Sequence, residues 1–314
     1  MLCLNGMTFA GHTVATIMQR MCKQHWEVNM QCRTKQDRHF LADVGRWTLQ
    51  LTGQVDKPLD LNIDGLRDLP AIEMPIAIAC IGSSGRYPLI KQAVWKGVPL
   101  REVLNEEKIN TNTTHAQFTA VDGYSTYLPI DLLTDALLVF GVDGHELRPE
   151  QGYPLRLVVP GVYGYKMPKW IERIELTQMP VPGQHELQGW SASGQVQTTS
   201  HIFAPHHMQT VSGVVRFSGV AYAGVRAITQ VEVSIDDADW TPVAFTPSIP
   251  GSWTRWQAEW QPYAPGDYVV RVRATDSDGF TQVELSPTIA FPNGSNAIHS
   301  IVIRITSSLE VVPS

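Results

Sequence analysis

The sequence has few cysteines, no excess of basic residues and no long apolar run. Its four cysteines form no C-x-x-C pair and no C-x-x-C-H motif, which argues against a zinc knuckle and a covalently attached haem. The net charge of -6 argues against a nucleic-acid or anionic-membrane surface, since both need clustered lysine and arginine. No segment is apolar for the length of a membrane span. Residues 1–22 mix polar side chains into a weakly apolar run, so they predict no clear export signal and leave the compartment open.

What the sequence does contain is typical of a folded protein with two domains. Its 314 residues can bury two separate cores, and 43% apolar with 17% charged residues is a globular composition. We predict a divergent lead-in over 1–45, a mixed α+β domain over 46–180, a linker over 181–200 and a β-sandwich over 201–308.

The first predicted domain mixes strand and helix patterns. Residues 47–53 (WTLQLTG) alternate as a half-buried strand does, and residues 76–80 (IAIAC) form an apolar run typical of a buried strand. Cys80 therefore ends a core strand, ahead of a glycine-containing loop. Residues 98–107 (VPLREVLNEE) place apolar side chains on one helical face, which favours an α+β fold.

The helical periods vanish beyond residue 200. Strand-length runs separated by turn residues predict a β-sandwich there. Residues 231–235 and 301–305 show the strand period, with apolar side chains at every second position. The preceding segment 179–194 contains two prolines and three glycines, which indicates a linker.

Several segments in order resemble one enzyme family. They are IACIGSSG, AVWKGVPLREVL, VDGYSTYLPI, QGYPLRLVVPGVYGYKMPKWIERIEL, SGVAYAG and ITQVEVSIDD. Together they look like the molybdopterin-binding oxidoreductases that include sulfite oxidase, and the resemblance runs from about residue 47 to about residue 305. It implies a molybdenum bound by a cysteine thiolate, a buried molybdopterin, and an immunoglobulin-like second domain used for dimerisation.

Cys80 is the expected metal ligand. It is the only cysteine in the patterned part of the chain, and a soft thiolate suits a metal already bound by dithiolene sulfurs. The rigid strand before it and the glycine loop after it would hold the sulfur while leaving room for a bulky cofactor. An inert buried thiol is the alternative.

The phosphate of the pterin requires fixed cations and N–H donors. The resemblance implies that Arg156 holds this anion and that the following loop wraps the cofactor. The loop residues concerned are Lys166, Met167, Pro168 and Lys169. Surface charge is the alternative for both lysines.

Two further positions match the family less completely. Asp122 resembles the acidic residue that hydrogen-bonds the pterin, although an aspartate before a glycine is also typical of a turn. Gln151 stands where many relatives have a histidine, and it can donate a hydrogen bond without carrying charge. The family's N-terminal segment that closes over the cofactor is not recognisable, and Arg38 and His39 occupy roughly its place.

Histidines elsewhere do not indicate a second metal centre. The His-Glu pairs at 145–146 and 185–186 lack the second histidine of H-E-x-x-H. His201, His206 and His207 are more typical of a loop than of a divalent ion site.

We therefore expect an oxidoreductase that transfers an oxygen atom to or from a small polar or anionic substrate such as sulfite. The metal supplies the chemistry and the protein positions it. Since no haem or flavin motif is present, a separate electron carrier such as a cytochrome or a quinone-linked protein is expected, and the chain should form a homodimer. A sulfoxide reductase on the same scaffold and a non-catalytic binding module without cofactor remain as alternatives.

The substrate anion should be bound by Arg86, six residues after Cys80. A guanidinium stays charged and offers forked donors to an oxyanion. Arg86→Met should raise KM for an anionic substrate, weakening transition-state binding by about 2 to 4 kcal/mol at unchanged metal content. Steady-state kinetics with sulfite and a sulfoxide measure this effect, and unaltered kinetics would remove Arg86 and leave Arg255 as the weaker candidate.

Overall fold

The computed structural model of the chain forms two compact units. The described residues are 46–82, 89–104, 109–284 and 292–306. Unit 1 contains mainly the described residues up to Gln195, and unit 2 mainly those from Val196 onward. This division falls within the segment 181–200 that the sequence predicts as a linker. The predicted lead-in over 1–45 lies outside the described residues.

Unit 1 is built on two sheets. In the described part of the chain its strands are β1 (Thr48–Gly53), β2 (Leu59–Asn62), β3 (Ile72–Ala79), β4 (Ile90–Pro99), β5 (His115–Ala120), β6 (Ser125–Pro129), β7 (Leu137–Val142), β8 (His145–Glu146), β9 (Arg156–Val158) and β10 (Ile171–Thr177). One sheet has the order β2-β1-β10-β5-β6, in which β1 is parallel to β10. The other has the order β3-β4-β7-β8, with β9 paired to β7. Because β7 is buried along its whole length, its sequence is an unbroken apolar run.

Helices are short and few in the described ranges, so the α+β prediction overstated them. The helices are α1 (Ile63–Arg67), α2 (Leu100–Leu104) and α3 (Gln184–Leu187), with 3-10 turns at Ile130–Leu133, Pro149–Gln151 and Gly164–Lys166. The predicted helical face over 98–107 forms only the one turn of α2, where Leu100, Val103 and Leu104 are buried. Residues 105–108 lie outside the described ranges. None of the described helices has the length and apolar character needed to span a bilayer.

Strand β3 carries the chain from the surface into the core of unit 1. Its first residues are exposed, whereas its last four, from Ile76 to Ala79, are buried. The Trp95 indole nitrogen on β4 donates a hydrogen bond to the Ile76 carbonyl oxygen at 3.2 Å, which ties the two strands at their buried ends. Cys80 therefore follows directly after the rigid, buried end of β3.

Unit 2 consists of two sheets around one apolar core. In the described residues its strands are β11 (Thr199–Ala204), β12 (Thr210–Val211), β13 (Val215–Tyr222), β14 (Ile228–Ile235), β15 (Thr241–Pro242), β16 (Ala244–Thr246), β17 (Thr254–Trp260), β18 (Gly266–Asp276) and β19 (His299–Ile305). The sheet orders are β11-β13-β17-β16 and β12-β19-β18-β14-β15. Phe217 and Trp256 of the first sheet and Val270 and Ile303 of the second belong to the same buried cluster. The two sheets thus bury a common core.

The predicted strand period holds on β19 and is modified on β14. Ile301, Ile303 and Ile305 are buried at alternate positions of β19. On β14, however, Glu232 and Ser234 are buried as well as their apolar neighbours. The Glu232 carboxylate accepts a hydrogen bond from Arg273 at 2.7 Å, which compensates its burial.

Two buried histidines lie side by side in unit 2. The rings of His201 and His299 are 5.4 Å apart between centroids. Burial, with a smaller contribution from His299, lowers the pKa of His201 to about 3. Burial, with a smaller contribution from His207, lowers the pKa of His299 to about 4. His299 Nδ1 also accepts the Ile202 N–H at 2.9 Å, so its neutral form is the one that fits the fold.

Unit 2 should therefore lose stability in acid. The unfolded chain takes up these protons near pH 6.5, while the folded chain resists them until about pH 3 to 4. The stability is fully present above pH 6.5 and falls as the pH drops below it, by about 2 kcal/mol per histidine between pH 7.5 and pH 5. Urea denaturation of the whole chain at both pH values measures this loss.

The variants His201→Gln and His206→Gln separate this effect from the titration of carboxylates. His206 is exposed and serves as the matched control. The loss between the two pH values should shrink only in His201→Gln. An equal loss in the unsubstituted chain and in His201→Gln would contradict the assignment.

Candidate functional site

A cavity of about 270 Å³ lies in unit 1 where several strand ends and loops converge. Its wall is formed by the end of β3, the start of β4, the β7–β8 turn, β9 and the loop that follows β9. The lining residues are Ile78, Cys80, Ile81, Lys91, Gln92, Ala93, Trp95, Val142, Asp143, Gln151, Arg156, Gly164, Tyr165, Met167, Lys169 and Trp190. The cavity thus gathers residues that are far apart in the sequence.

Cys80 borders this cavity from the end of β3. It is half-buried, and it follows Ala79, which forms a parallel bridge with Tyr163. That bridge brings the loop after β9 beside the cysteine. A sulfur held at a strand end between two backbone segments is positioned by the fold rather than by a flexible loop.

Arg156 is a buried cation at the start of β9. Only 8% of it is exposed, and its guanidinium carbon lies 5.0 Å from the centroid of the Trp95 ring. One terminal nitrogen donates to the Gln151 carbonyl oxygen at 3.0 Å, while the buried Nε has no hydrogen-bond partner among the described residues. Burial lowers the Arg156 pKa to about 10, so the group remains charged at neutral pH.

Lys169 lies beside Arg156 on the neighbouring segment. The two residues form an antiparallel bridge, and the Lys169 ammonium donates to the Glu150 carbonyl oxygen at 2.7 Å. Gly152 allows this close approach, because a Cβ there would stand 3.0 Å from the Cβ atoms of both residues. Gly152 also has φ of 110°, a conformation that favours glycine. Two cations are therefore fixed side by side on the same cavity.

Gln151 supports this pair through its backbone and its side chain. Its carbonyl oxygen accepts from Arg156, and its side-chain oxygen accepts the Arg148 N–H at 2.9 Å. The side chain thereby fixes the turn whose carbonyl orients the buried guanidinium. Gln151 thus has a structural contact of its own at this turn.

The loop after β9 alternates between the cavity and the protein interior. Tyr165, Met167 and Lys169 line the cavity, whereas Lys166 and Pro168 are buried but are not among the lining residues. The segment begins with the 3-10 turn Gly164–Lys166, so this alternation comes from the turn and the irregular backbone after it rather than from an extended strand.

The structure thus brings together only part of the predicted site. Cys80, Gln151, Arg156, Met167 and Lys169 line one cavity, whereas Asp122, Lys166 and Pro168 are not among its lining residues. Arg86 lies outside the described residues.

Asp122 and Lys166 have other contacts. Asp122 is exposed, and its carboxylate accepts the Tyr124 N–H at 3.0 Å. This contact is typical of a turn aspartate, which the sequence analysis gave as the alternative to a pterin contact. The Lys166 ammonium forms an ion pair with Glu186. Burial lowers the Lys166 pKa, and the contact with Glu186 opposes that shift.

Sequence reasoning missed the aromatic wall of the cavity. Trp95, Tyr165 and Trp190 all line it. Trp95 and Tyr165 stand within the family-like segments, where they could have been noted. Trp190 lies in the segment predicted as a linker, whose glycine and proline content gave no periodicity to indicate burial.

The residues present fit an anionic cofactor bound next to a thiolate. Arg156 is a buried cation with an unsatisfied Nε, and burying a charge is unfavourable unless it is paired. An anionic phosphate would satisfy that nitrogen, Lys169 would add a second charge, and Cys80 would supply a soft ligand for a metal.

Known proteins match this chain in sequence and in fold. Residues 37–185 match the family model of the oxidoreductase molybdopterin binding domain. The uncharacterized oxidoreductase YuiH of Bacillus subtilis is 31% identical over 157 residues, which cover 49% of this chain and 77% of that protein. The NADH nitrate reductase of Lotus japonicus is 26% identical over 253 residues, covering 62% of this chain but only 28% of the reductase.

A solved structure extends the likeness to most of the chain. The sulfane dehydrogenase SoxCD of Paracoccus pantotrophus superposes with a TM-score of 0.72 at 23% identity, covering 83% of this chain and 76% of that chain. At this identity the match concerns the fold. With the family model, the relatives and the cavity taken together, the chain belongs to the molybdopterin-binding oxidoreductases and is a molybdenum-cofactor enzyme.

Proposed function

We propose that this oxidoreductase is of the sulfite oxidase type and transfers an oxygen atom to or from a small polar or anionic substrate such as sulfite. The observation that carries the proposal is the cavity itself, which Cys80 and the cations Arg156 and Lys169 all line. When bound, the molybdenum supplies two-electron oxygen-atom transfer, and the protein supplies position and electrostatics.

Cys80 would hold the metal as a thiolate. Its place at the end of β3 supports that role, because the strand restrains the sulfur while the cavity in front of it can take a bulky group. The cavity lining also includes apolar side chains, among them Ile78, Trp95 and Met167. Such a lining excludes water and strengthens electrostatic interactions inside the cavity.

Arg156 and Lys169 would hold the phosphate of the pterin. Their side chains are buried and their backbones are joined, so they present charge without a large loss of side-chain entropy on binding. Gln151 would orient Arg156 through its carbonyl oxygen. The part of Asp122 in binding the pterin stays a prediction.

The charges of the cavity favour a negatively charged or strongly polar substrate. Three cationic residues line it, namely Lys91, Arg156 and Lys169, against one acidic residue, Asp143. Because Lys91 and Asp143 are exposed, the buried charges dominate the interior. Neither charge nor shape separates sulfite oxidation from reduction of a sulfoxide, so the direction of turnover must be measured.

We further propose that a separate electron carrier, such as a cytochrome or a quinone-linked protein, exchanges electrons with the site. We propose in addition that unit 2 is an immunoglobulin-like domain that joins two chains. Two sheets around one core support the first part of that assignment. The family resemblance of the segments SGVAYAG and ITQVEVSIDD supports the second.

Two single variants test whether Cys80 binds the metal while Arg156 binds the pterin. Purified protein should contain about one molybdenum per chain and should reduce an artificial acceptor when sulfite is added. Cys80→Ser should abolish turnover yet keep much of the pterin, since it removes one metal ligand only. Arg156→Ala should lose most of the pterin, because the buried anion contact is removed. Metal analysis, pterin fluorescence and acceptor reduction measure these outcomes.

The same protein should be assayed with nitrate and with a sulfoxide as oxidants of a reduced dye. Turnover of either, without sulfite oxidation, would replace the proposed substrate and retain the cofactor assignment. Equal pterin loss in Cys80→Ser and Arg156→Ala would contradict the division of roles.

The assembly prediction concerns the full chain in solution. A paired unit 2 should give a homodimer whose mass is twice that of one chain, independent of concentration over the micromolar range. Light scattering coupled to gel filtration measures the mass, and a single-chain mass at all concentrations would count against the dimer.

A further inference from the structure

Lys166 and Glu186 form a buried ion pair next to the cavity. The Lys166 side chain is 0% exposed and the Glu186 side chain 4%. Burial on both sides makes the pair different from a surface salt bridge, since each partner depends on the other to remain charged. Neither residue lines the cavity.

The Lys166 ammonium has an acceptor for each of its three N–H groups. It donates to a Glu186 carboxylate oxygen, to the Tyr127 carbonyl oxygen at 2.9 Å and to the Thr126 hydroxyl at 3.3 Å. It also lies 4.6 Å from the centroid of the Tyr127 ring. An ammonium offers three donors and no more, so these contacts use its full capacity.

Glu186 is held through one of its two carboxylate oxygens, while the other is buried and has no hydrogen-bond partner among the described residues. The carboxylate oxygen that accepts from Lys166 also accepts the Thr126 hydroxyl at 2.5 Å. A Cβ at Gly183 would stand 1.8 Å from the Ser125 carbonyl oxygen and 2.9 Å from the second Glu186 carboxylate oxygen, so glycine is required there. The pair therefore occupies a site that the surrounding backbone is shaped to admit.

The pair joins two segments that each contribute to the cavity wall. Lys166 stands between Tyr165 and Met167, which both line the cavity. Glu186 lies in α3, four residues before Trp190, another lining residue.

Aromatic ring contacts join the same two segments as the ion pair. The His185 ring stacks on Tyr165 at 5.5 Å between centroids and meets the Trp190 ring edge-on at 4.5 Å. The ring contacts and the ion pair thus connect the same two segments.

We propose that Lys166 and Glu186 are positioning residues that hold Tyr165 and Trp190 against the cofactor cavity, and that Lys166 is not itself a cofactor ligand. This inference rests on the proposed binding of the pterin in this cavity. The expected consequence of losing the pair is a looser wall and faster release of the cofactor.

The experiment compares the rate of pterin release from the holoenzyme in four variants. Lys166→Met and Glu186→Gln should each speed release by about tenfold, as loss of groups that orient cofactor contacts typically does. The double variant Lys166→Met/Glu186→Gln should release no faster than either single variant, because the two residues act as one unit. Glu186→Asp keeps the charge, and its shorter side chain should speed release only a few-fold. Dialysis followed by pterin fluorescence measures the rate, and Glu175→Gln, at an exposed position of β10, is the matched control.

Several outcomes would overturn the proposal. If Lys166 bound the cofactor directly, Lys166→Met would speed release while Glu186→Gln and Glu186→Asp left it unchanged. A purely structural pair would lower the unfolding midpoint of each variant and leave release below that temperature unaltered. If Glu186→Gln fails to fold, Glu186→Asp still tests the proposal. An unchanged rate of pterin release in Glu186→Asp would contradict it. No substrate is used, so this result is independent of whether sulfite is turned over.

Discussion

The buried charge of Arg156 is the constraint around which the cavity of unit 1 is arranged. The guanidinium is desolvated, it faces the Trp95 ring, and its Nε has no protein partner in the described ranges. A protein rarely buries such a cation without a compensating anion, because the desolvation free energy is large. The turn at Gln151 and the contact at Gly152 both hold this group at the cavity.

The loop after β9 shows how one short segment can serve two purposes. Tyr165, Met167 and Lys169 border the cavity, while Lys166 is buried in an ion pair with Glu186. The two lysines are chemically alike, yet one is a cavity cation and the other completes a buried ion pair. The different contacts of Lys166 and Lys169 therefore depend on the direction of each side chain and not on the residue type.

Unit 2 has a different balance of forces. Its two sheets share an apolar core, as the alternation on β19 predicts. Several polar side chains of this unit are nevertheless buried, including Glu232, His201 and His299. Each is tolerated because a partner accepts or donates a hydrogen bond, or because the group stays neutral. The apolar pattern of this unit alone does not indicate these buried polar groups.

The sequence by itself determined the family, the apolar strand that ends at Cys80 and the strand period of residues 301–305, because each is encoded in local order. It also indicated the cation at position 156. Only the tertiary structure decided that Lys166 pairs with Glu186, that Trp190 borders the cavity and that His201 lies beside His299. The two pairs join residues that are 20 and 98 positions apart, and Trp190 is 110 positions from Cys80 on the same cavity. A local pattern reports which side of an element is buried, but it carries no information on which distant segment will cover that side.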